Sequence, residues 1–445
     1  MGMGYQLKEK AFDIVVVGAG ILGASIAFWL SEYLDASIAI IDREREPALH
    51  ASSRNTGVIH RPFYLDPMRR RLSAWASNAS YIFWKSFSRI YSLPWNQVGT
   101  LKVALEDEDL SELDKYIRWG EENGMDRGEM ELLGAEEVSR IEPEVRCRGA
   151  LLIHSEASVD YGAYTRKLVE LGISNGARFL GSSRAVRVSE ANGVEIQIAS
   201  GDMAYSVKSK LLINAAGGES LALAKQVGLG KEYSVLYFRG DYWRVDPSSG
   251  LKIRRNIYSV PRHKGFPFLD PHYIVRHNGQ NDVGPNAVPV LSPYAYKGLA
   301  SSPKDLALFL FKKPTTPKLK LLYNREFLSL AISEWRSTIS KRAMAYRVAR
   351  FIPRLRPSML VERIPGGIRS QVIGSEGLAS DPIVLMGSRS IHIANYNSPG
   401  ATGAPAFSAY IYTLAEEKGY LESFRRRGPR HGDLVRLLNW NEIPR

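Results

Sequence analysis

The apolar pattern of this chain changes period several times, and each change predicts an element. Residues 14–17 (IVVV) form a continuous β-branched run that breaks at Gly18-Ala-Gly20-Ile21-Leu22-Gly23 and passes into ASIAFWL. A run of that kind reads as a buried parallel strand feeding a helix. Apolar positions at helical spacing over 69–92 predict an amphipathic helix with Trp75, Tyr81, Trp84 and Phe87 on its core stripe. QVGTLKVAL (97–105) reads as a strand, 111–124 as a helix with a glycine stop, and 134–145 as a shorter helix ended by Pro143. From residue 149 a short strand, a capped helix over 162–175 and a strand near 178–180 follow. RAVRVSE and VEIQIAS then make a hairpin around Asn192-Gly193. LLINAAGGES (211–220) repeats the opening pattern of apolar strand into glycine. Residues 233–295 alternate and are rich in aromatics, 304–352 are helical and basic, 383–388 are strand-like, and a last helix is expected from about Ala406.

These elements predict an α/β protein of two interleaved parts. One is a Rossmann-like dinucleotide-binding domain over 1–95, 146–232 and 365–425. The other is an antiparallel-sheet α+β domain over 96–145 and 233–364, carrying a basic helical arm at 300–352, and 426–445 is a basic tail. In the first part Gly18 permits a tight turn, Gly20 lets backbone approach a pyrophosphate, and Gly23 lets the helix pack closely on the strand. The helix N-terminus at Ile21 and Leu22 offers N–H groups and a partial positive charge to phosphate. Asp42, at the end of IAIID and followed by Arg43, is placed to accept from ribose hydroxyls. Ser52, Ser53, Asn55, Thr56, Gly57 and Val58 offer donors to a second phosphate or a flavin edge; the other reading makes Ser52 or Ser53 a helix N-cap.

Composition narrows the class without changing it. The chain has 445 residues, 44% hydrophobic and 24% charged, as in an ordinary globular protein. A single cysteine, Cys147, excludes an internal disulfide, a Cys-based zinc site and a protein-ligated iron–sulfur cluster, so no metal is expected. The low count suits the cytosol. The first ten residues carry no apolar core of signal-peptide length, and no stretch approaches the roughly 20 apolar residues of a membrane span. The net charge of +13 is concentrated in KKPTTPKLK (312–320) and in the tail from Arg425. It suits an anionic substrate or bilayer face; without an RNA-binding or zinc-finger motif it argues against nucleic acid.

Several fragments carry a family likeness: VVVGAGILGASIAFWL with Asp42, NTGVIHRPFYLDP (55–67), NAAG (214–217), IYSVP (257–261), FPFLDPHYIVRHNG (266–279), DVGPNAV (282–288), SKRAMAYRVARFIP (340–353), GGIRSQ (366–371) and NSPGATG (397–403). In these the chain resembles the FAD-dependent D-amino-acid oxidase/glycerol-3-phosphate dehydrogenase superfamily, and within it the L-2-hydroxyglutarate dehydrogenases/oxidases, over roughly 13–415. The resemblance implies non-covalent FAD in a glutathione-reductase-type domain. It implies further that Ala215, Ala216 and Gly217, the loop Ser398-Pro399-Gly400-Ala401-Thr402, and Val186 through its backbone contribute to the cofactor site. The substrate implied is a dicarboxylic L-2-hydroxy acid, with oxygen or a quinone reoxidising the flavin. An amine or glycerol-3-phosphate oxidoreductase on the same scaffold, or a flavin-holding membrane-docking protein, are the alternatives. The chain departs from the family at Arg61-Pro62 and in a shortened 290–340 segment.

Oxidising a 2-hydroxy acid by hydride transfer to flavin N5 needs a base for the hydroxyl proton and a cation for the carboxylate. His60 and His272, both inside family-like fragments, are the candidate bases. Arg369 and Arg276 are the candidate carboxylate clamps, since a guanidinium binds both oxygens. Arg276 lies four residues beyond His272, on the same strand face if the strand continues. Tyr258 is a candidate donor to the carboxylate, and Arg61 a candidate for a distal acid group. Backbone N–H groups at 398–402 with a helix dipole would stabilise negative charge at flavin N1/C2=O. The protein is expected to be cytoplasmic, with the apolar LALFLF and basic arm contacting the membrane face peripherally.

Overall fold

The computed structural model describes residues 10–438 except 192, 263–269 and 312. The predicted opening strand is Lys10–Val17, whose residues Ile14–Val16 are fully buried. It pairs in parallel with Ile38–Ile41 on one side and Met203–Asn214 on the other, and Arg178–Leu180 extends the sheet beyond Ile38–Ile41. The long strand Met203–Asn214 splits its edge: its start receives the hairpin Arg184–Ser189/Val194–Ser200, and its end receives Ser390–Asn395. Asn192, assigned above to the hairpin turn, lies outside the described residues.

Glycine accounts for the crevice at the C-terminal end of these strands. Gly18 has φ +104°, and a Cβ there would stand 2.3 Å from the Ala215 carbonyl oxygen; a Cβ on Gly23 would stand 1.9 Å from that of Gly18. Two strand ends and the helix Ile21–Tyr33 thus approach more closely than any side chain allows. The helix is buried nearly all round. It lies between the sheet, the helix Tyr161–Ser174 and the C-terminal helix Gly400–Glu417. The predicted aromatic helix runs Arg71–Ile90, and Trp84 and Phe87 on its core stripe are fully buried. Burying them contributes about 2–3 kcal/mol each, before ordering costs.

The second sheet has ten strands, ordered from Gly377–Leu378 through Leu360–Gly374, Ser234–Val245, Asn281–Gly284, His272–Val275, Asn256–Ser259 and Thr100–Ala104 to Gly149–Ile153 and Met130–Gly134, with Val288–Val290 against Ser234–Val245. Its pairing moves two of the expected boundaries. Gly149–Ile153 pairs with Thr100–Ala104 and Met130–Gly134, and Leu360–Gly374 pairs with Ser234–Val245. Both segments, assigned above in whole or part to the dinucleotide domain, belong to this sheet; hydrophobic pattern specifies a strand but not its partner. The arm is four helices, Lys304–Phe311, Thr316–Leu322, Arg325–Ile339 and Lys341–Val348. The last is not a free arm, because Met344, Ala345 and Val348 join the core beneath the sheet.

The last helix begins at Gly400 rather than Ala406, with Pro405 inside it. The run of glycine, proline and small residues, which reads as a loop, is its first turns. No helix among the described residues is long and apolar enough to cross a membrane.

Candidate active site

Between the two sheets lies a cavity of about 400 Å³ whose wall runs from the glycine turn to the second sheet. That size is within the range of small-molecule sites. At its dinucleotide end the wall includes Gly18, Gly20, Ile21, Leu22, Asp42, Ala215, Ala216 and Gly217. Asp42 is oriented by the chain itself: its carboxylate accepts from Ala19 N (2.6 Å) and Glu44 N (2.8 Å), and burial raises its pKa. Ser52 lines the wall without capping a local helix; its Oγ accepts from Ile21 N at 2.8 Å, across the chain at the start of Ile21–Tyr33. Asn55, Thr56 and Val58 continue the wall, and Ser398 to Thr402 close it from the N-terminus of the last helix. Thr402 is fixed there, its Oγ1 accepting from His60 N (3.1 Å) and bonding Tyr161 Oη (2.8 Å).

Five expected cofactor contacts, at Gly23, Arg43, Ser53, Gly57 and Val186, are absent from the wall, Arg43 lining the adjoining crevice instead. Gly23 and Gly57 are backbone approaches: a Cβ on Gly57 would meet the Val159 carbonyl oxygen at 2.7 Å. Ser53 turns away, and its hydroxyl donates to the Ala48 carbonyl. Val186 is half-exposed on a strand, and its carbonyl accepts from Gln226 Nε2 at 3.1 Å. Ser183, Arg184 and Ala185, just before it, face the crevice beside Arg43; a bulge in the strand beyond Ala185 shifts the register that side-chain alternation assumes.

An aromatic cover over this end was not legible in the sequence. Tyr294 and Tyr296, on the segment after Val288–Val290, line the cavity. The Arg43 guanidinium lies 3.7 Å from the Tyr294 ring centre and that of Arg54 4.4 Å from Tyr296. His50 stacks on Tyr296 and bonds its hydroxyl at 2.9 Å.

At the other end the structure separates the two histidines. His60 is in the wall, its Nδ1 3.4 Å from Oε1 of Glu156. Glu156 is fully buried and also accepts from Arg61 N (2.8 Å) and Thr100 Oγ1 (2.5 Å). The rings of Tyr64 and Tyr258 stand edge-on to His60 on two sides. His272 lies behind, packed against Tyr258 at a 30° tilt with ring centres 3.9 Å apart, and neither it nor Tyr258 reaches the wall. Burial, helped by the nearby Lys102 charge, holds the His272 pKa well below its usual value, so its ring is neutral.

The arginines divide in the same way. Arg369 is in the wall, its Nη2 donating to Gln371 Oε1 at 2.7 Å, and no carboxylate lies within ion-pair distance among the described residues. Arg276 is not available to substrate: Nε donates to Asp282 (2.7 Å) and Nη1 to the Asn55 carbonyl (2.6 Å). It bolts the 55–57 loop to the second sheet. Arg61 is likewise held by Glu129 through two hydrogen bonds of 3.0 and 2.8 Å, over the Tyr81 ring. The departure from the family at this position is therefore a buried ion pair rather than a substrate contact.

Lys102 was missed altogether. It sits in register beside Tyr258 in the second sheet, buried, with its nearest acidic influences in Asp270, Glu156 and Asp109. Burial lowers its pKa from 10.5 to about 8. Between those values the unfolded chain holds more protons, so this group's penalty on stability is full below pH 8 and fades as pH rises towards 10.5. Lys102→Met should therefore stabilise the fold at pH 7, by up to about 3 kcal/mol. The gain over wild type should shrink with rising pH. Denaturant unfolding of the two proteins at pH 7 and 10 measures both; an equal difference at the two pH values would count against the buried charge.

The glycine turn, the helix N-terminus and the second strand at Ala215–Gly217 together fit a dinucleotide, and the cavity continuing to His60 and Arg369 fits the ring system of a flavin with a substrate beside it. The chain belongs to the FAD-dependent oxidoreductase family, whose model matches residues 13–413. Relatives within that family include L-2-hydroxyglutarate dehydrogenases. The mitochondrial protein of Caenorhabditis elegans is 30% identical over 91% of this chain and 93% of its own length. That of Escherichia coli K12 is 29% identical over 91% and 93%. In fold the chain is similar to the L-α-glycerophosphate oxidase of Mycoplasma pneumoniae with FAD bound, with a TM-score of 0.72, 19% identity and coverage of 95% and 98%. The L-proline dehydrogenase of P. horikoshii gives 0.66 at 17% identity, covering 92% and 94%. The protein is thus an FAD-dependent oxidoreductase with a Rossmann-like domain interleaved with a second, mainly antiparallel sheet, in which Asn256–Ser259 and Thr100–Ala104 alone pair in parallel among the described residues.

Proposed function

We propose that the protein oxidises L-2-hydroxyglutarate to 2-oxoglutarate. The observation that carries this is the meeting, in one cavity wall, of a histidine backed by a buried carboxylate and an arginine without an acidic partner. The named relatives support the choice of acid.

FAD, when bound, supplies the two-electron acceptor. Arg369 takes the C1 carboxylate through its free N–H groups and fixes the α-carbon. Glu156 accepts from Nδ1–H of His60, which leaves Nε2 as the base for the C2 hydroxyl proton. As that proton leaves to His60 and the C2 hydrogen leaves with its electron pair, C2=O forms. Tyr64 and Tyr258 hold the imidazole edge-on and keep water from it. The N–H groups at Gly400 to Thr402, with the dipole of their 18-residue helix, offer positive charge to the cofactor side of the reaction. Turnover with an artificial acceptor should yield 2-oxoglutarate from the L-acid and none from the D-acid. Equal rates with both would remove the ordered Arg369–His60 geometry from the account.

The basic helices support a second, finer reading. Tyr323, Ile339 and Tyr346 are 73–83% exposed, and Ile332 is more than half exposed, among Lys320, Arg325, Arg336 and Arg342. An apolar and cationic surface suits the cytoplasmic face of an anionic bilayer, where a quinone rather than oxygen would take the electrons. The protein should sediment with phosphatidylserine-containing vesicles at low salt and be released at high salt. Absence from the pellet at both would dismiss docking.

A further inference from the structure

Buried arginines around the substrate end are mostly held by carboxylates; Arg54, also in the wall, lies instead over the Tyr296 ring. Arg61 is paired with Glu129, Arg239 with Asp241 and Arg276 with Asp282. Arg369 and Arg70 have no carboxylate within 4 Å among the described residues, and they belong to one small region. Arg70 Nη2 donates to the Ser398 carbonyl at 2.7 Å, while its Nε is buried with no partner. Ser398 is in the cavity wall beside Asn397, whose Nδ2 shares Gln371 Oε1 with Arg369, and Arg70 stands behind Ser398, outside the wall itself. The Tyr64 ring lies within the field of both cations and edge-on to His60. Asp381, at the start of the same helix as Arg70, is occupied by Leu72 N, Ser73 N and the Ser73 hydroxyl.

Two like charges brought together without an acid are destabilising until an anion joins them. The effect is visible on Arg369, whose pKa is lowered to about 10 by burial and by Arg70. One carboxylate matches one cation; two cations close together suit a dianion. Resting on the hydroxy-acid reading above, we infer that Arg70 is a specificity residue whose charge, held just behind Ser398, favours the distal carboxylate of the substrate, while Arg369 binds the one next to the reacting carbon. The site is thereby built for dicarboxylic 2-hydroxy acids. Arg70 takes the distal-acid role for which Arg61 was the candidate.

The test uses the flavin-loaded enzyme and two redox-inert probes, glutarate and butyrate, titrated against the flavin absorbance. Arg70→Met should weaken glutarate roughly 30-fold or more and butyrate less than about threefold. Arg369→Met should weaken both. In turnover Arg70→Met should raise KM for L-2-hydroxyglutarate far more than it lowers kcat, and should erase most of the preference over L-2-hydroxybutyrate. Arg70→Lys, which keeps the charge, should fall between. Equal loss on both probes, or no loss on glutarate, overturns the inference. If Arg70→Met does not retain flavin, Arg70→Lys decides by the same comparison. Wild type that binds glutarate through Arg70 but is not reduced by L-2-hydroxyglutarate keeps the anion pair and rejects the substrate reading. Reduction by that acid with an unaltered KM in Arg70→Met does the reverse.

Discussion

His60→Ala lowers kcat for the L-2-hydroxy acid by roughly 1000-fold, the scale expected when a positioned base is removed from a proton transfer. The variant stays yellow, because the glycine turn, Asp42 and the Ala215–Gly217 strand end are on the other side of the cavity. Glu156→Gln has a smaller effect, roughly tenfold or somewhat more. An amide at that position can donate to Nδ1 and favour the wrong tautomer, the general cost of disturbing an orienting partner. His272→Ala separates the candidates, since His272 lies behind Tyr258. Its loss should act on stability and on KM through Tyr258 more than on kcat. Stopped-flow flavin reduction with each variant reads these effects directly; full reduction rates in His60→Ala would remove it as the base.

The second large effect is at Arg369. Arg369→Met removes the fork that positions C1, and kcat/KM should fall roughly 100- to 1000-fold, the range for truncating one partner of a buried charge pair. Arg369→Lys should recover only part, because a point charge does not reproduce bidentate geometry. Arg276→Met serves as the contrast. Arg276 is held by Asp282 and the Asn55 carbonyl, so its loss leaves Asp282 buried without its closest cation and loosens the 55–57 loop. Lower thermal stability and weaker flavin retention are expected there before any selective loss of substrate. Melting midpoints and flavin content of the two variants tell the roles apart.

The dinucleotide half was legible because its chemistry is local. A strand, a positive-φ glycine and a helix start are adjacent in sequence, and Gly18, Gly20 and Asp42 follow from that spacing. The substrate half was legible only as a set of candidates. His60 and His272 sit in equally suggestive fragments, and what separates them is that His272 is packed behind Tyr258. That depth is a property of the sheet, not of either fragment. Arg276 had the right residue type and the right phase, but Asp282 on the neighbouring strand claims it. Glu156 and Lys102 gave no signal, since a lone carboxylate after IHS and a lone lysine in TLKVAL look like solvated positions. Lys102 is buried because Thr100–Ala104 is covered on both faces, and Glu156 because a turn of distant sequence folds over it, where Arg61 N and Thr100 Oγ1 donate to it. Val186 came from the family likeness and not from its own pattern; its carbonyl is taken by Gln226, and Ser183 to Ala185 just before it face the crevice.

Anaerobic mixing of the purified protein with L-2-hydroxyglutarate, followed at the visible flavin band, tests the central claim most directly. D-2-hydroxyglutarate, L-malate, glycerol 3-phosphate and proline run beside it. The account predicts rapid bleaching by L-2-hydroxyglutarate, slower bleaching by the shorter dicarboxylate L-malate, and none by the D-acid, the phosphate or proline. Bleaching by glycerol 3-phosphate or proline, with the flavin left oxidised by L-2-hydroxyglutarate, would contradict it.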